Sequence, residues 1–67
     1  MKKVAVMLAD GFEDIEALAT VDILRRAGIL VDMVSIKDEL VTSAHNVIVK
    51  ADKLIGNDIE NYDMIVC

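Results

Sequence analysis

The chain has 67 residues, 55% of them hydrophobic, with no proline, one cysteine and a formal net charge of −5. That length allows at most one small domain, and an acidic chain whose seven Lys and Arg are scattered does not suit a nucleic-acid partner. A lone cysteine forms no internal disulfide and fits a reducing cytoplasm, the compartment expected here. No apolar run approaches the roughly 18 residues of a membrane-spanning helix. The basic start Met1-Lys2-Lys3 leads into an apolar stretch that breaks at Asp10 without a small-residue cleavage site, unlike a secretory signal.

In chain order, the apolar run Val4 to Ala9 predicts a strand covered on both faces, as in a parallel sheet. Asp10-Gly11 supplies a turn, and Glu13-Asp14 places negative charge where a helix begins, favoured by the macrodipole. The spacing Asp10-x-x-Glu13 also suits a capping arrangement, an ordinary structural task for Glu13. The helix runs to about Ala27, with Gly28 as the closing glycine. Ile29 to Ile36 is a second strand, which completes a βαβ unit. Lys37-Asp38-Glu39 is a polar turn, and Leu40 to Ser43 with Asn46 to Lys50 form a hairpin about Ala44-His45. Lys53 to Asn61 is loosely helical, with Asp58 placed to cap a short turn, and Tyr62 to Cys67 is a third apolar strand. Strands buried on both faces need more cover than 67 residues provide. Residues 1–67 are therefore expected to be the N-terminal part of a larger α/β domain, neither active nor independently stable as an isolated piece.

On a helical wheel of about 100° per residue, Arg25, Asp22 and Arg26 form one charged stripe, a solvated face. Ile23, Ala27, Thr20 and Leu24 lie opposite, and Glu16 falls between Ile23 and Ala27, pointing into the presumed core. Burial disfavours a carboxylate's charged form, and a helix N-terminus offsets that by under about 1 kcal/mol. A deeply buried Glu16 would be protonated near neutrality and able to donate a hydrogen bond; the alternative is a solvated side chain at a wet sheet edge.

No glycine-rich dinucleotide fingerprint follows the first strand, and no Walker loop is present. His45 and Cys67 are too far apart in sequence for metal-ligand spacing, so no metal or cofactor is expected. His45 reads as exposed and ordinary. Cys67 reads as a small hydrophobe ending a buried strand, or as a nucleophile at a strand's carboxyl end.

The stretch Lys3 to Glu16, with Gly11-x-Glu13-x-x-Glu16 after the strand, then Asp22-x-x-Arg25-Arg26-Ala27-Gly28, Ala51-Asp52 and Tyr62 to Val66, resembles the opening of the ThiJ/PfpI superfamily. The likeness lies closest to the branch of the Parkinsonism-associated protein deglycase. It implies a flavodoxin-like α/β three-layer sandwich of the class I glutamine amidotransferase type. It also implies that Glu16 hydrogen-bonds a nucleophilic cysteine beyond residue 67, with a histidine nearby and oxyanion-hole glycines directly after Cys67. Activities implied are cofactor-independent conversion of methylglyoxal or glyoxal to hydroxy acids, removal of early glycation adducts from proteins, chaperone-like holding and peptidase action. The resemblance also implies a homodimer, with Ile15, Leu18, Val47 and Ile48 as candidate interface residues. Relatives often carry Arg or Gly near the hairpin; His45-Asn46 stands there instead, so no ion pair at that place is carried over. Two rival readings are a non-catalytic redox sensor or holdase on the same fold, and a phosphoacceptor receiver-like domain. The second fits poorly, since Asp10 stands alone and a hairpin replaces the second helix.

Overall fold

The computed structural model describes residues 2–67. Strand β1 (Lys3–Leu8) leads into helix α1 (Asp14–Arg26) and strand β2 (Leu30–Ser35). Strands β3 (Leu40–Thr42) and β4 (Ile48–Lys50) form an antiparallel hairpin, followed by β5 (Lys53–Leu54), a 3-10 turn at Asn57–Asn61 and β6 (Met64–Val66). The main sheet has the order β5-β2-β1-β6 with every pairing parallel. This is the first βαβ unit of a flavodoxin-like fold, as expected.

β1 is the hub because it is paired on both sides. Val6 has Met33 across one edge and Val66 across the other. Its side chains alternate between the sheet's faces. Val4, Val6 and Leu8 join Val31 and Val21 in a cluster under α1, while Ala5 packs with Val34 and Tyr62 on the opposite face. The unbroken apolar run is thus a direct consequence of two-sided burial.

Helix α1 ends in a Schellman arrangement. The amide of Gly28 donates to Arg25 O (3.0 Å) and that of Ile29 to Leu24 O (3.1 Å), with Gly28 at φ 82°, a conformation that favours glycine. The face it buries is not the expected one. Val21 is the helix's buried residue and Ala17 and Leu24 pack beside it, whereas Ile23 is 64% exposed. Hydrophobic spacing fixes the period of the stripe, but packing against β1 and β2 chooses its phase.

Three local expectations are corrected. Lys53–Leu54 is not helical but a short strand paired with Val34 and Ser35, held by backbone hydrogen bonds that need no apolar signature; only Asn57–Asn61 turns. Asp58 does not cap that turn: Gly56 stands at the cap and the Asp58 carboxylate is engaged by Lys53 Nζ. Nor does Glu13 form a capping box with Asp10; it is itself the N-cap of α1 without a side-chain bond. Asp10 Oδ1 instead accepts from Thr42 N (3.1 Å).

Two polar tethers join distant segments. Arg25 Nη2 donates to Val31 O (2.9 Å) and to Asp52 Oδ2 (2.8 Å), which also accepts from Met33 N (2.8 Å). Arg25 thus leaves the solvated stripe, while Arg26 pairs with Asp22 on it, as the wheel implies. Tyr62, 9% exposed, donates from its hydroxyl to Asp32 Oδ2 (2.5 Å), with Lys3 Nζ 4.8 Å from its ring centroid. Among the described residues, no helix is long and apolar enough to cross a membrane.

Two measurements test this packing in a full-length protein carrying the chain. Leu8 is fully buried, so Leu8→Ala should cost about 2–5 kcal/mol in denaturant unfolding. Burial, with the hydrogen bond and charge of Asp32, pushes the Tyr62 phenol up to about 12. The folded state therefore keeps a proton that the unfolded chain releases near pH 10; its stabilising effect is intact below that and lost as pH rises toward about 12. Tyr62→Phe should flatten that alkaline loss in pH-resolved melts.

Candidate functional site

The site is built on the turn that follows β1. Gly11 sits at φ 89° with no atom within 4 Å of where a Cβ would stand, so backbone conformation rather than crowding calls for glycine. Its amide donates to Thr42 O (2.8 Å), and Ala44 N donates to Phe12 O (2.9 Å). The hairpin therefore holds the turn from outside the sheet, and α1 starts from a fixed position.

The chain passes from β1 to β2 on one side of the sheet, while β6 lies on the other. The strand order thus reverses between β1 and β6, and parallel sheets leave a crevice for ligands outside the strands' carboxyl ends at such a point. A hollow of about 310 Å³ lies there, with Val6, Phe12, Glu13, Glu16, Val66 and Cys67 in its wall. A second of about 310 Å³ shares Phe12 and Cys67 and adds Asp10, Gly11 and Ile36.

Glu16 is exposed, not inside the core. It lies about 140° around the helix from buried Val21, so the rotated packing face leaves it at the rim of the hollow. Its placement is the wet sheet edge, and it faces the same space as Cys67. Cys67 is exposed too, not a buried end of β6. Of the candidate interface residues, Ile15 is 79% and Ile48 65% exposed; Val47 is also exposed and Leu18 half-buried.

The sequence did not disclose a polar network at the start of α1. Ser43, 4% exposed, donates from Oγ to Asp14 Oδ2 (2.7 Å) and accepts from the amides of Val47 (3.0 Å) and His45 (3.2 Å). His45 Nδ1 lies 3.1 Å from Asp14 Oδ1. The hairpin thus carries a histidine–carboxylate contact that is an ion pair whenever the imidazole is protonated. The Ser43 hydroxyl holds the Asp14 carboxyl below its usual range, helped by His45. The hydrogen bond that His45 donates to Asp14, with the charges of Asp14 and Glu13, raises the His45 imidazole above 6.5. Glu13, Asp14 and His45 bring one donor atom each within 4.8 Å of one another. With both Asp14 oxygens engaged, the arrangement is a hydrogen-bonded network. A serine just after a short strand is an unremarkable letter, and contacts spanning 29 and 31 residues of sequence leave no spacing signal.

A profile of the DJ-1/PfpI family matches residues 2–67. Among solved structures, the chain is similar to Toxoplasma gondii DJ-1 in an oxidized form, at 47% identity and TM-score 0.87 over 97% of this chain and 36% of that one. It is similar to a mutant DJ-1 superfamily protein from Salmonella typhimurium, at 47% identity and TM-score 0.78 over 81% of this chain and 30% of the other. Schizosaccharomyces pombe DJ-1 matches at 32% identity and TM-score 0.83, over 94% of this chain and 38% of that one. The chain thus spans between 30% and 38% of these structures. No match was found among curated proteins.

Ser43→Ala removes one donor and one acceptor from a buried junction. It should destabilise a full-length protein carrying this chain by about 1–3 kcal/mol, read as a lowered midpoint in denaturant unfolding.

Proposed function

The chain belongs to the DJ-1/PfpI family, and on that premise we propose that it forms the N-terminal part of a cofactor-independent, cysteine-dependent glyoxalase or protein deglycase. The observation that carries this reading is the position of Glu16, a carboxyl at the rim of a hollow where the strand order reverses. The nucleophilic cysteine comes from chain beyond residue 67 and enters this space. Its thiolate adds to an aldehyde carbonyl, forming a carbon–sulfur bond while the carbonyl oxygen takes up a proton, to give a hemithioacetal. With an α-oxoaldehyde, the C1 hydrogen then moves to C2, leaving a thioester and a new hydroxyl. Water cleaves the thioester to a 2-hydroxy acid and restores the thiol. The sum is the addition of one water, with no external oxidant or reductant.

In this scheme chain beyond residue 67 closes over the hollow and covers Glu16, whose carboxyl O–H then donates to the sulfur and favours its charged form, since a donor to a thiolate lowers the thiol pKa. The substrates are small reactive aldehydes or glycated proteins, and the compartment is the cytoplasm. The working unit is a homodimer, with Ile15, Leu18, Val47 and Ile48 at its interface. A redox-sensing or holdase role is the second reading, favoured by the oxidized state in which the Toxoplasma gondii relative was solved. Peroxide titration followed by mass spectrometry, set against aldehyde turnover on one sample, separates the two.

The direct test uses the full-length protein and measures thiol pKa and methylglyoxal consumption. Glu16→Leu should raise the thiol pKa by about 1–2, the equivalent of one lost charge-assisted hydrogen bond, and slow turnover at least about tenfold. Glu16→Gln, which keeps an N–H donor, should fall between. An unchanged thiol pKa in both variants removes Glu16 from the mechanism.

A further inference from the structure

The hairpin is fastened to the β1–α1 turn by bonds between backbone groups and by bonds to the carboxylates of Asp10 and Asp14. Those from Gly11 N to Thr42 O and from Ala44 N to Phe12 O join backbone groups and do not respond to pH. The junction of Ser43 and His45 with Asp14 contains an imidazole, the side chain that changes charge near neutrality. We propose that His45 is a proton-controlled clasp: protonated, it pins the tip of the hairpin to Asp14 at the start of α1; neutral, it lets that tip loosen.

The geometry carries this. His45 is exposed, so protons reach it freely, while its partner Asp14 is largely covered and already fixed by the Ser43 hydroxyl. Asp14 and Glu13 face the ring from the helix start, and Asp10 on the adjoining turn is engaged with Thr42 N. Along the hairpin the other ion pair, Lys50 with Glu39 (3.2 Å), sits at the base. The ring therefore faces acids, which favour its charged form.

The working range follows from the two shifts. Asp14 is held below its ordinary 3.8 and stays ionised through neutrality. His45 is raised above 6.5, so the pair is fully formed below that pH and is lost as pH rises through the raised value. A neutral ring keeps at most a hydrogen bond. The same Ser43 oxygen that binds Asp14 accepts the Val47 amide, so loosening at Asp14 reaches the segment carrying Val47. An exposed pair is a weak one, which makes this a graded adjustment of the hairpin tip and not an opening of the fold. The clasp does not depend on which reaction the hollow serves.

Amide hydrogen exchange by NMR in a full-length protein carrying this chain, from pH 5 to 8.5, is the test. Val47 protection should fall about two- to five-fold with the same midpoint as the His45 ring titration, while Gly11 protection stays constant. His45→Arg, charged at every pH used, should hold Val47 protection high throughout, and His45→Gln should hold it low. Val47 protection that is flat with pH in the unsubstituted protein, or that keeps the same pH profile in His45→Gln, overturns the proposal.

Discussion

Parallel pairing of β1 on both of its edges is the constraint from which the rest follows. A strand so placed buries both faces, which demands Val4, Ala5, Val6 and Leu8 inside. Parallel neighbours also bring all carboxyl ends to one side of the sheet. The β1–α1 turn, the end of β2 and the end of β6 therefore meet there, each arriving from a different part of the chain. The hollow between Glu16 and Cys67 is a product of that convergence; no single segment encodes it.

Convergence alone leaves a turn free to move. Here the β3–β4 hairpin, which stands outside the main sheet, is spent on holding it. Backbone bonds at Gly11 and Phe12 fix the turn's path, and the Asp14 carboxylate fixes the first residue of α1 through Ser43. Since Glu16 lies half a turn further on, the same bonds set where its carboxyl emerges. At the other end of the helix Arg25 reaches Val31 O and Asp52, so polar groups tie the start of α1 to the hairpin and its end to β2 and Asp52, with Val21 packed between.

Much of this was readable from sequence because it depends on local pattern. The apolar run of β1, the closing Gly28 and the hairpin about His45 each have a chemical reason within a few residues. The parts that were not readable depend on distance or on phase. β5 is two residues long and belongs to the sheet through backbone bonds alone. The wheel placed Glu16 among Ile23 and Ala27 correctly, but could not say which side of α1 would meet β1. Val21 took that place, so Glu16 came out exposed, at the hollow and not in the core. The Asp14–Ser43–His45 junction and the Arg25–Asp52 tether join residues 27 to 31 apart, beyond any spacing rule.

The account stands or falls on the crevice between β1 and β6 being where chemistry happens. The most direct measurement is a crystal structure of the full-length protein trapped with an aldehyde as a covalent thiol adduct. The adduct should lie in that crevice with the Glu16 carboxyl about 2.6–3.2 Å from a reacting atom. An adduct seated elsewhere, with Glu16 facing only solvent, would contradict it.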